Sequence, residues 1–251
     1  MQYVLENYWL VILSFALVPV LTGLCVYRVA LLPKVVSWFR PGDLAASYLG
    51  AITLPFALFL AFMMSDIWSR ETRYSQTVLQ EVQKLDSLLD VARICGAPCE
   101  AVDDAVGVYA RALSRYEWDR DWTEPHDEVT AAFDALVMRM AEAEAQTGIG
   151  NHIRNALLNG QAELKRLRTE RYFILHVDLT PHRWMLVLLL GVLSQVGLAA
   201  LHVGRRPQLM ISLGTFTIAF SMTFAYTVAL ARPAVDESII PSQELARILA
   251  S

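Results

Sequence analysis

Four stretches of this chain contain no aspartate, glutamate, lysine or arginine: Trp9–Tyr27, Leu44–Ser65, Trp184–Gly204 and Pro207–Ala231, of 19, 22, 21 and 25 residues. A helix rises ~1.5 Å per residue, so about 20 such residues cross the ~30 Å hydrocarbon core of a bilayer. Buried helices of a soluble protein keep a polar stripe, and these stretches have none. The chain is therefore expected to be an all-α membrane protein with four transmembrane helices. His202 is the one titratable group in the third stretch. The first stretch lacks the basic start of a signal peptide and is too long for one. Leu24 before Cys25 is unlike a lipidation site.

The remaining composition has to be water-facing. Of 251 residues 55% are hydrophobic and 18% charged, with a mean hydropathy of +0.38. A net charge of −4 gives no basis for nucleic-acid binding, which needs clustered cations. Three cysteines are too few for a disulfide framework.

Most of the charge lies in the 118 residues from Asp66 to Arg183. Apolar positions recur there at alternating spacings of four and three: Val78, Val82, Leu85, Leu89, Ala92; Val102, Val106, Tyr109, Leu113, Tyr116; Val129, Phe133, Leu136, Met140; Ile153, Leu157, Gly160, Leu164, Leu167. These are seams of a helical bundle. Cys95-Gly96-Ala97-Pro98-Cys99, Thr123-Glu124-Pro125 and Thr147-Gly148-Ile149-Gly150 separate them. The organisation predicted is residues 1–65 with spans 9–27 and 44–65, a helical domain over 66–183 inserted between the second and third spans, spans 184–204 and 207–231, and a tail from 232 to 251. The first bundle helix should continue the second span, since no Gly or Pro lies between Phe56 and Ile94. The last should stop near Pro181.

The fourth seam runs on to Arg171. A buried guanidinium needs carboxylates, and Glu81 and Glu117 are the candidates by helix face, forming a structural ion pair. Cys95 and Cys99 could close a disulfide across their turn. Pro19 and Pro55 each free a carbonyl inside a span, which in hydrocarbon calls for a neighbouring helix or water. In the second span Leu54, Leu58 and Phe62 repeat every fourth residue and Asp66 follows. Such a stripe is either ordinary helix packing or an apolar constriction around an axis, with Asp66 as a carboxylate ring at its mouth.

Enzymatic chemistry has no visible carrier. There is no Gly-rich phosphate loop, no His-Glu-x-x-His and no Cys-x-x-Cys. His176, Asp178 and His182 match no standard metal spacing, so no metal site and no cofactor are expected. The acids of Glu124-Pro125-His126-Asp127-Glu128 suit a helix start.

Phe62-Met63-Met64-Ser65-Asp66-Ile67-Trp68, with Tyr74 and Glu81, resembles the bestrophin-like family of bacterial membrane proteins. Tyr109, Glu117-Trp118, Arg168, Arg171, Pro181, Trp184, Arg232-Pro233 and Ile240-Pro241-Ser242 follow in that family's order; the tail departs at Ala234 and Glu237. The family is similar at a distance to true bestrophins, pentameric ion channels with four spans and an apolar neck on the second. The resemblance implies a homo-oligomeric channel, possible as a pentamer, for small inorganic ions in the inner (plasma) membrane. Leu54, Leu58 and Phe62 would form the neck. The alternative is a membrane-anchored sensor or scaffold whose helical domain binds a partner. Sidedness is contested. Arg28, Lys34, Arg40, Arg205 and Arg206 in the short loops put those loops in the cytoplasm and the helical domain outside. The resemblance implies a cytosolic domain.

Overall fold

In the computed structural model the described residues are 2–38, 46–117, 125–176 and 181–230. They form eight α-helices and no strand: α1 (Gln2–Ala30), α2 (Pro33–Trp38), α3 (Ala46–Cys95), α4 (Glu100–Tyr116), α5 (Asp127–Ala145), α6 (Asn151–His176), α7 (Pro181–Leu201) and α8 (Arg206–Leu230). Thr123, Glu124, Trp118, Arg40, Asp178 and the tail motif from Arg232 lie outside the described residues. α1, the first part of α3, α7 and α8 are long and apolar enough to cross a membrane. Their outward side chains include Leu17, Leu21, Leu24, Leu189, Leu193, Ile211, Ile218 and Met222, all exposed. So large a greasy surface suits hydrocarbon, not water.

The chain divides into two compact units, one of residues 1–68 with 179–231 and one that includes residues 69–178. In the first, α1, α7 and α8 pack closely on one another. Small residues allow this. A Cβ on Gly191 would overlap the Phe220 ring, and one on Gly23 would lie 2.5 Å from Thr217 Oγ1. Gly191→Val should therefore push α7 off α8 and cost about 1–3 kcal/mol, the usual range for overpacking. A lowered unfolding midpoint of the detergent-solubilised protein checks this.

A polar hub fixes the three helices. The Gln195 side chain is fully buried and donates through Nε2 to the Pro19 carbonyl at 3.0 Å and to Thr217 Oγ1 at 3.1 Å. Its Oε1 accepts from the Thr22 hydroxyl at 2.9 Å. One turn away, Ser221 donates to the Ala16 carbonyl at 2.6 Å. Pro19 weakens the backbone ladder of α1 by withholding a donor from the Phe15 carbonyl, and side chains of α7 and α8 donate to the neighbouring Ala16 and Pro19 carbonyls. α3 joins the group mainly by large rings: Phe56 meets Phe220 edge-on at 5.1 Å and Phe216 at 5.8 Å, and the Thr227 hydroxyl of α8 adds a hydrogen bond to Met64 Sδ at 3.0 Å.

In the second unit, Tyr74, Val78, Val82, Leu85 and Leu89 of α3 share a buried core with Val102, Val106, Tyr109 and Leu113 of α4. Val129, Phe133, Leu136 and Met140 of α5 and Leu157 and Leu164 of α6 complete it. α3 needs no break to serve both units, because no Gly or Pro interrupts it after Pro55. It stops at Gly96, whose φ of 74° is available to glycine at little cost. α5 starts on an unexpected cap: His126 Nδ1 accepts from the Glu128 amide at 3.3 Å.

Candidate functional site

The first 23 residues of α3 have two unlike faces. Phe56, Leu60, Met63 and Ile67 are buried against the chain's own rings. Leu54, Leu58 and Phe62 face away, 59%, 50% and 71% exposed. Beside them Pro55, Ala57, Ala61 and Ser65 are exposed as well. Among the described residues the expected stripe therefore has no partner within this chain.

Four residues advance a helix by about 400°, so each step of the stripe turns it by ~40°. Asp66 has drifted round towards α7 and meets Arg183 there. Arg183 Nη1 lies 2.5 Å from Asp66 Oδ2, with both side chains about half exposed. The sequence gives Asp66 no partner because Arg183 is 117 positions away. The available signal was that each stands at the end of an apolar stretch, on the same side of the bilayer.

A second cluster lies in the helical unit. Arg171 of α6 is fully buried, as is Glu81 of α3, and Glu117 at the end of α4 is 1% exposed. Arg171 Nε is 3.1 Å from Glu81 Oε2, and Nη2 donates to Glu117 Oε2 at 2.6 Å. Tyr109 donates to Glu81 Oε1 at 2.9 Å, and the His126 amide donates to Glu117 Oε1 at 3.1 Å. Four segments thus converge on one guanidinium. Burial alone would lower the Arg171 pKa, but Glu81, Tyr109 and Glu117 outweigh it and hold it well above its ordinary value. Burial pushes the Glu81 carboxyl up, against the pull of Arg171 and the Tyr109 hydroxyl. Burial also raises the Tyr109 phenol, with the Glu81 charge adding to it. Arg168, next on the same helix, stacks over Phe133 at 5.1 Å and donates to Thr130 Oγ1 at 2.7 Å. Tyr109 is visible in the sequence as an apolar seam position, but its bond to Glu81 and that of the His126 amide to Glu117 leave no trace in the pattern.

The model matching this chain over residues 39–235 is that of the bestrophin-like domain. The chain belongs to the bestrophin-like family. No curated protein and no solved structure gives a significant match. The bestrophin-like region takes in α3 to α8 and so holds both the outward stripe and the Arg171 cluster. With its four apolar helices, this bestrophin-like protein is a membrane protein.

Cys95 and Cys99 form a disulfide across the turn after α3, with Cα atoms 5.7 Å apart and Cys99 fully buried. Cys25 is free and exposed. Among the described residues no group of three His, Cys, Asp or Glu side chains is placed to hold a metal ion. His182 is exposed, and Asp178 lies outside the described residues.

Proposed function

We propose that this bestrophin-like protein is a subunit of a homo-oligomeric ion channel, with α3 lining the pore and Leu54, Leu58 and Phe62 forming its apolar neck. Residues 66–183 serve as a helical domain inserted between the second and third spans. The observation that carries the proposal is the stripe's outward direction: three large apolar side chains leave their own chain's core together. Two features favour a protein or aqueous neighbour over lipid. Pro55 withholds a donor from the Ala51 carbonyl, which is costly in hydrocarbon unless another group meets it. The exposed ridge Ala57, Ala61, Ser65 lets a second helix approach closely. Purified protein should appear as a ring with rotational symmetry and carry ions across liposomes. A monomeric or dimeric particle without flux would favour the anchored sensor or scaffold instead. No enzymatic step is assigned to the chain.

We also propose that the helical domain faces out of the cytoplasm. The basic short-loop residues support this, and so does the disulfide, which persists in oxidising compartments. In a Cys25→Ala background, a membrane-impermeant maleimide should label intact spheroplasts only after reduction. Labelling that instead needs permeabilisation, and no reductant, would place the domain in the cytoplasm.

A further inference from the structure

Asp66 sits one turn beyond Phe62, where the apolar stripe ends. Unopposed, a ring of such carboxylates would draw cations. It is not unopposed. The Arg183 guanidinium lies 2.5 Å away, on the first turn of α7. Packing holds it there: the adjoining Trp184 meets Phe15 at 6.2 Å and Phe224 at 5.6 Å. α7 is thereby seated against α1 and α8 just where Arg183 leaves it.

Further along α3, Arg70 and Arg73 follow Asp66 by one and two turns, but Arg70 donates to the Ile174 carbonyl and Arg73 lies 3.8 Å from Glu170; Glu6 lies near the start of α1. Residues 181–230 hold no acid at all. Arg28, Lys34, Arg205 and Arg206 lie at the opposite ends of the helices, where Ala30, Ala199 and Leu209 pack together. From Arg183 to Leu201 alone the helix rises roughly 27 Å at ~1.5 Å per residue, several times the ~8 Å screening length of physiological salt. Those cations cannot set the potential beside Asp66.

We infer that Arg183 is a specificity-determining residue: by cancelling Asp66 it removes the carboxylate ring from this end of the neck. This rests on the channel reading. Passage at this level is then set by the apolar constriction, and Asp66 gives cations no preference. Each partner removed alone unmasks the other, once per subunit, and fixed charge around a narrow opening concentrates its counter-ion.

The test is the chloride-to-potassium permeability ratio of the full-length protein in planar bilayers under a KCl gradient. Asp66→Asn should raise it several-fold and Arg183→Gln should lower it several-fold. The charge-swapped pair Asp66→Arg with Arg183→Asp keeps both neutrality and pairing, so it should return the wild-type ratio. Currents whose ratio neither single variant moves overturn the inference and leave the channel standing. Wild-type protein that carries no current overturns the channel, and the inference with it.

Discussion

Arg171→Met is expected to destabilise the helical unit by on the order of 3–5 kcal/mol, the range for removing one partner of a buried ion pair. The size follows from what remains. Glu81 and Glu117 are 0% and 1% exposed, and without the guanidinium they are two like charges facing each other with no water to screen them. Methionine fills much of the volume, so the loss is electrostatic more than steric. Adding Glu81→Gln to Arg171→Met should restore part of the stability, because one of the two stranded carboxylates is gone. Chemical denaturation followed by helical circular dichroism reads both variants. Were Arg171→Met to unfold at the wild-type midpoint, the cluster would carry no structural weight, and a functional role for it would have to be sought.

The second large effect concerns the neck. Leu58→Ala with Phe62→Ala should raise ion flux in liposomes by roughly tenfold or more if these side chains form a dewetted constriction, since trimming them widens it and lets water through. The two residues are 50% and 71% exposed in the chain, so their truncation removes little of its core. A rise in flux therefore could not be ascribed to unfolding. A stripe that faced lipid would give a protein with unchanged flux and an unchanged melt. Phe56→Ala is the contrasting control. It removes a ring packed on Phe216 and Phe220, so it should lower stability by about 3–5 kcal/mol, whatever it does to flux.

Much of this architecture is legible in the sequence for simple reasons. A bilayer demands an uninterrupted apolar run, and four such runs are visible without any knowledge of packing. Bundle helices bury one seam, so Val78, Val82, Leu85 and Leu89 stand out by spacing alone. Arg171 stands out because it occupies such a seam position, and a cation there must have carboxylates near it. Other features leave no such trace. Gln195 does not break an apolar run, so its bonds to Pro19 and Thr217 are silent in the sequence. Arg183 stands at a span end, where basic residues are common, and nothing in the pattern points it at Asp66. The short α2, with six residues, is below the length at which periodicity speaks. His126 caps α5 through a ring nitrogen, a use of histidine that composition does not announce.

The Gln195 hub bears on which helix is free to move. Amide, hydroxyls and backbone carbonyl there satisfy one another across α1, α7 and α8, and sliding any one helix would strand a polar group in hydrocarbon. Those three helices are riveted. α3 is attached to them mainly through aromatic rings, which tolerate small rotations, with two polar contacts near its Asp66 end: the Arg183 pair and the Thr227 hydroxyl on Met64 Sδ at 3.0 Å. A change of state in this set of spans would therefore fall to α3, which has those two contacts to break before it turns like a key and carries Leu54, Leu58 and Phe62 with it.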